Sequence, residues 1–323
     1  MSDSTTPTFA PAAPYHPSYA DTLAMLPARM MASAEQIDVL RTFSMGTLDD
    51  LKELADFDYQ ERAAPGPEGA PSVVLSIFSP KARRTPAPVV YSMHGGGMVT
   101  GDRFAGMRQP LTWVVKLGAV IVSVEYRLAP EHPHPAPVED CYAGLVWLAQ
   151  HADELGLDPH RIVLHGGSAG GGLAAGLTLM ARDRLFPKLA GQLLDSPMLD
   201  DRSQSVSSHQ IDNFGGWDRM TNEMGWSALL GEGHATRDVS AYAAPARATD
   251  LSGLPPAYIT AAAGEVFRDE AVDYASRLWA AGGVADLHVY AGAFHGYTQM
   301  APGSPVSQAA IQGMEDWLAR MFE

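Results

Sequence analysis

A single cysteine, Cys141, stands among the 323 residues, so no intrachain disulfide is available. That shortage fits a reducing cytoplasm. Basic residues are also scarce. Lys and Arg number 22 against 37 Asp and Glu, which leaves a formal charge of −15. Nucleic acids and anionic membranes both select a basic footprint, so neither is expected as a partner. No apolar run approaches the ~18 residues that a membrane span requires. The opening Met1-Ser2-Asp3-Ser4 has neither a basic start nor an apolar stretch behind it. No secretory signal is read there, and a cytoplasmic location is expected. Cys141 follows Val138-Glu139-Asp140 at the start of an apolar helical pattern. Acidic neighbours do not favour a thiolate, so it reads as a small buried residue and not as a nucleophile.

What is present is ample apolar material, 46% of the chain, with 18% charged residues. A chain of this length and balance can bury a large core. Residues 1–20 are rich in Pro, Ser, Thr and Ala and read as a loose arm. Residues 20–60 carry apolar positions at helical spacing and predict two short helices outside any sheet. Strands are expected at 73–78, 89–93, 119–125, 161–165, 191–194, 257–263 and 287–290. Helices are expected between them, at 140–151, after residue 168, at 269–281 and at 307–322. Short apolar strands alternating with helices imply a mostly parallel sheet covered on both faces. About 60 residues from Asp195 to Pro255 break that alternation and hold Phe214, Trp217, Met220, Met224 and Trp226. A long insertion after a sheet strand is usually functional, often a lid.

Three segments share one chemistry. Gly166-Gly167-Ser168-Ala169-Gly170 follows an expected strand and matches G-x-S-x-G, a tight strand-to-helix turn that exposes a serine. Small residues on both sides permit the strained backbone and close approach such a turn needs. A phosphate loop is the rival reading, but the Gly-Lys-Ser/Thr ending and the G-x-G-x-x-G spacing are both missing. His94-Gly95-Gly96-Gly97 also follows a strand. Gly95 and Gly96 can turn their amides inward, and the Ala169 amide would complete a three-donor oxyanion hole. His94 is assigned to bracing that loop. Of the eleven histidines, His295 alone sits just past the last strand, where it can reach the serine as general base. Glu265 ends the strand at 257–263 and would orient His295, with Asp269 and Glu270 as rivals one turn or more into the next helix. The candidate catalytic residues are thus Ser168, Glu265 and His295. Met98, Gly167, Phe214, Trp217, Met220 and Trp226 are candidate pocket residues. No metal or organic cofactor is required.

At these residues the chain resembles the hormone-sensitive-lipase-type branch of the α/β-hydrolases, the bacterial family IV esterases, over roughly residues 70–320. The most specific match is Glu125-Tyr126-Arg127-Leu128-Ala129-Pro130-Glu131-His132-Pro133-His134-Pro135-Ala136-Pro137-Val138-Glu139-Asp140. Leu254-Pro255-Pro256-Ala257 and Phe267-Arg268-Asp269-Glu270 fit as well. The resemblance implies an α/β-hydrolase fold with an eight-stranded, mostly parallel sheet, helices on both faces and a helical cap. It divides the chain into an N-terminal arm with cap helices (1–60), a catalytic part (61–197), a cap insertion (198–252) and a second catalytic part (253–323). It implies a serine carboxylesterase acting on short- to medium-chain esters, with lactones and aryl formamides as alternative substrates. Members of this branch often form homodimers through the last strand. Hormone receptors on the same scaffold bind without catalysis, but they lack the histidine that this chain keeps. Two positions depart from the family pattern. Gly167 stands where Asp or Thr usually precedes the serine, and Glu265 stands where Asp is usual.

Overall fold

Alternate residues along the central strands belong to opposite layers. Val89, Tyr91, Ile162, Leu164 and Ile259 enter one apolar cluster, while Val90, Val163, Leu193 and Tyr258 enter another. This two-residue period is what a strand buried on both faces requires.

The computed structural model describes residues 9–31, 33, 35–42, 46–82 and 85–323. Eight strands form one sheet: β1 (Phe57–Ala64), β2 (Val73–Pro80), β3 (Ala87–Met93), β4 (Val120–Glu125), β5 (Leu157–Gly167), β6 (Gly191–Asp195), β7 (Ala257–Gly264) and β8 (Ala285–Phe294). Their order is β1-β2-β4-β3-β5-β6-β7-β8. The first two pairings are antiparallel and the remaining five parallel. The chain therefore has an α/β-hydrolase fold.

The helices are α1 (Ala20–Met25), α2 (Gln36–Arg41), α3 (Leu48–Leu54), α4 (Arg108–Leu117), α5 (Ala136–Gln150), α6 (Ala169–Asp183), α7 (Val206–Gln210), α8 (Arg219–Leu230), α9 (Arg268–Ala280), α10 (Tyr297–Met300) and α11 (Pro305–Phe322). Helices α5, α6 and α9 supply Leu145, Leu177 and Tyr274 to the first cluster. Helices α4 and α11 cover the other face with Trp113, Val114, Met314 and Trp317. Cys141 on α5 is buried, and burial pushes its thiol well above the ordinary range. Among the described residues no helix is long and apolar enough to cross a membrane.

The N-terminal region differs from expectation in three ways. Three short helices, α1, α2 and α3, stand where two are expected. Residues 57–64 form strand β1 although the segment to residue 60 reads as helical. This strand lies at the sheet edge with Asp58, Gln60 and Glu61 at least partly exposed, so the apolar alternation that marks a strand is diluted. Residues 1–8 of the expected loose arm lie outside the described residues. Its described part is tied down. Tyr15 donates to the Gly264 carbonyl at 3.1 Å, and the His16 amide donates to the Gly292 carbonyl at 2.8 Å. Tyr19 is fully buried against Phe294 and Tyr297. Two aromatic rings thus anchor a segment whose composition alone looks disordered.

The register brings strand ends to one place. Met93 pairs with Gly166, and Gly167 pairs with Asp195. His94, Ser168, Glu265 and His295 each sit one residue beyond a strand, after β3, β5, β7 and β8 respectively. The carboxyl edge of a parallel sheet is where open α/β folds hold their ligands.

Candidate active site

Ser168 has φ 57° and ψ −122°, a conformation that costs a non-glycine residue about 1–3 kcal/mol. The surroundings enforce it. The Ser168 amide donates to the Asp195 carbonyl at 2.9 Å, and its own carbonyl accepts from Gly172 and Met198. Only glycine fits nearby, since a Cβ on Gly170 would lie 2.1 Å from the Met93 carbonyl oxygen. The turn thereby holds the Ser168 hydroxyl at the start of α6.

His295 Nε2 lies 2.9 Å from Ser168 Oγ. On the other side of the ring, His295 Nδ1 lies 2.6 Å from Glu265 Oε2. Glu265 is fully buried, and its second oxygen accepts the Ala262 amide at 2.8 Å. The extra methylene of glutamate is thus taken up by a bond back to its own strand. Asp269 and Glu270 are engaged elsewhere. Asp269 accepts the Ser207 amide at 2.7 Å, and Glu270, buried and pushed well up by that burial, accepts the Leu199 amide at 2.6 Å. An imidazole between a hydroxyl and a carboxylate can take the hydroxyl proton while the carboxylate stabilises the resulting cation.

The glycine loop approaches this point closely. A Cβ on Gly95 would come 3.4 Å from Ser168 Cβ, and Gly96 has φ 113° with the Thr100 carbonyl oxygen 2.1 Å from where its Cβ would be. Ala169 is the first residue of α6, where an amide has no helical acceptor. His94 Nδ1 is 2.8 Å from the Gly95 carbonyl oxygen. The Tyr126 hydroxyl donates to the His94 carbonyl at 2.7 Å, and the two rings stack 4.2 Å apart. Burial lowers the His94 pKa, which favours a neutral ring in this place. The segment from Glu125 to Asp140 holds the loop from below. Arg127 meets Asp140 through two bonds of 2.8 and 2.7 Å, and the Ala129 amide donates to the Met98 carbonyl at 2.9 Å.

A cavity of about 580 Å³ opens over Ser168 and His295. Of the expected pocket residues, Gly167 and Trp217 line it. Met98, Phe214, Met220 and Trp226 do not, each for a packing reason. Met98 is buried in a left-handed turn at φ 67° and belongs to the core. Trp226 on α8 is fully buried in that same core. Phe214 packs toward the Tyr15 ring at 6.2 Å, and Met220 faces outward, 42% exposed. The walls that sequence reasoning missed are Pro27, Met30, Val39 and Leu40 from the N-terminal segment, and Thr298, Gln299 and Met300 after His295. The second group lies within five residues of the histidine and was open to inference from its position. The first group carries no local mark of its role. Arg29 bonds Asp218 and Asp212, both at 2.6 Å, and so fastens that segment to the 198–252 insertion. Among the described residues no group of three or more His, Cys, Asp or Glu could hold a metal ion.

Known proteins share this fold. Residues 89–299 match the family Abhydrolase_3, described as an alpha/beta hydrolase fold. Esterase LipI of Mycobacterium tuberculosis (strain ATCC 25618 / H37Rv) is 37% identical over 226 residues, covering 69% of this chain and 70% of that protein. Carboxylesterase NlhH of Mycobacterium tuberculosis (strain CDC 1551 / Oshkosh) is 35% identical over 268 residues, covering 80% and 81%. A solved structure described as a bacterial heroin esterase superposes with a TM-score of 0.86 at 38% identity, covering 96% of this chain and 98% of that one. The chain is a carboxylic ester hydrolase, and it belongs to Abhydrolase_3, the hormone-sensitive-lipase-type branch of the α/β-hydrolases.

Proposed function

We propose that this carboxylesterase hydrolyses short- to medium-chain esters through an acyl-enzyme formed on Ser168. His295 takes the Ser168 proton as the hydroxyl oxygen attacks the ester carbonyl. Glu265 holds the imidazole in orientation and stabilises its cation. The amides of Gly95, Gly96 and Ala169 receive the negative oxygen of the tetrahedral intermediate. His295 then gives its proton to the departing alcohol. In the second half it takes a proton from water, whose oxygen attacks the acyl carbon and releases the acid.

The observation that supports this reading most is the unbroken run of hydrogen bonds from Ser168 Oγ through both ring nitrogens of His295 to Glu265. The substrate range is supported by the cavity volume of about 580 Å³ and by apolar walls from Met30, Val39, Leu40 and Trp217. The N-terminal segment and residues 198–252 act together as a cap. The Arg29 ion pairs to Asp212 and Asp218, beside the cavity, support that role.

The test is hydrolysis of p-nitrophenyl acetate, butyrate, octanoate and palmitate by the wild type and by Ser168→Ala. The wild type is expected to prefer acetate and butyrate over palmitate, and the variant to lose about 10³-fold or more in kcat. Equal activity of the two proteins would remove Ser168 from the mechanism. A preference for palmitate would overturn the substrate range.

A further inference from the structure

Asp195 is a buried carboxyl in the wall of the active-site cavity, and the mechanism above gives it no part. It sits at the end of β6, one strand over from the serine. Three bonds leave this one residue. Its main-chain carbonyl accepts the Ser168 amide at 2.9 Å. Its Oδ1 accepts the Thr260 hydroxyl at 2.5 Å. Its Oδ2 accepts the Thr298 hydroxyl at 3.1 Å. Thr260 lies on β7, five residues before Glu265, and Thr298 lies in α10, three residues after His295. All three side chains are buried.

A buried carboxyl is costly unless its oxygens are satisfied, so such a residue persists where its bonds serve a purpose. No cation among the described residues bonds to it, and both oxygens are used by hydroxyls. Burial, together with the neighbouring Glu265 charge, raises its pKa, which is the environment of a hydrogen-bonding anchor rather than of an exposed charge. The main-chain bond fixes where the serine turn begins. The side-chain bonds fix the two chain segments that carry the acid and the histidine.

We propose that Asp195 is a positioning residue that sets the distance between Ser168 and His295 by holding Thr298 against the end of β6. The proposal rests on the assignment of Ser168 and His295 given above. Displacement of a reacting group by about 1 Å can cost on the order of 10²-fold in rate. Loss of the Thr298 hydroxyl should therefore lower kcat far more than it changes KM, because valine keeps the shape of the wall that Thr298 forms.

The experiment measures kcat and KM for p-nitrophenyl butyrate in Thr298→Val, Thr298→Ser, Asp195→Asn and Asp195→Ala, with Ser168→Ala alongside. Thr298→Val keeps the shape and removes only the hydroxyl, so it tests the tie even if Asp195→Ala fails to fold. A loss of about tenfold or more in kcat for Thr298→Val, with Thr298→Ser and Asp195→Asn within about threefold of wild type, is expected. Asparagine can still accept one threonine hydroxyl and donate to the other. Thr298→Val with wild-type kcat overturns the proposal. So does an effect of Thr298→Val on KM alone, or an Asp195→Asn as impaired as Asp195→Ala. Activity remaining in Ser168→Ala overturns the parent assignment instead, so the two failures are told apart.

Discussion

At Trp217 one side chain of the 198–252 segment reaches the wall of the cavity over Ser168 and His295. Its indole rests where a Cβ on Gly97 would fall, 2.0 Å from Trp217 Cη2, and its ring centroid is 6.4 Å from that of His295. Gly97 has φ 62° and no side chain, so the ring can close the cavity against the glycine loop. Replacing Trp217 by alanine opens this wall. The ratio of kcat/KM for octanoate over acetate is expected to rise about tenfold, since a single methylene in an apolar pocket is worth about that much or more. Measuring the p-nitrophenyl ester series with Trp217→Ala decides this, and an unchanged ratio would take Trp217 out of substrate selection. The aromatic content of the 198–252 insertion pointed to this residue, but it pointed equally to Trp226. Both are large apolar residues nine positions apart, and only packing decides which one turns toward the core and which toward the cavity.

Helix α6 shows how an element can contradict its own propensities. Glycine within a helix usually costs about 0.5–1 kcal/mol relative to alanine. Yet α6 holds Gly170, Gly171, Gly172 and Gly176, and almost its whole length is buried. A Cβ on Gly172 would lie 2.1 Å from the Met198 carbonyl oxygen, and one on Gly176 would lie 2.2 Å from that of Tyr242. The missing side chains let the backbone of the 198–252 insertion come into contact with the helix. Gly176→Ala should therefore destabilise the fold by about 1–3 kcal/mol although alanine is the better helix former. Thermal unfolding of the variant measures this, and a raised midpoint would mean that Tyr242 yields without cost. The strand-and-helix alternation was legible here because periods of two and 3.6 are local properties of the chain. Strand β1 was not, because a polar, half-exposed edge strand lacks the apolar alternation that announces the others.

Across the whole molecule, two histidines contribute opposite arms to the pH dependence of stability. His234 lies buried between Asp201 at 3.2 Å and Glu223 at 3.0 Å. Burial opposes its charge, but hydrogen bonds to the two carboxylates outweigh burial and hold it at about 9. The folded state therefore binds its proton more tightly than the unfolded chain does. This stabilisation is complete below the unfolded value of about 6.5 and fades as pH rises through about 9. His165 behaves oppositely, pushed down to about 4 by burial beside Trp113. Its stabilisation is present above about 6.5 and fades as pH falls toward 4. Each arm is worth at most roughly 3 kcal/mol, and solvent screening at the half-exposed Glu223 lowers the alkaline one. Unfolding midpoints between pH 4 and 10 should thus peak near neutrality. His234→Gln should flatten the alkaline fall while leaving the acidic one, and an unchanged alkaline slope would show that His234 is not its source.

The order of Ser168, Glu265 and His295 and the two glycine loops were legible in the chain itself. A tight turn or a close backbone approach demands small residues at that very place, and a strand announces its end within a few positions. The cavity was settled elsewhere. Arg29 meets Asp218 across 189 residues of sequence, and Asp195 meets Thr298 across 103. Such partners share no local pattern, so the docking of Tyr15 and Tyr19, the wall formed by Pro27, Met30, Val39 and Leu40 and the inward turn of Trp226 were decided by tertiary packing. A residue's neighbours in the chain determine its backbone, whereas the space its side chain occupies is determined by whatever the rest of the fold brings against it.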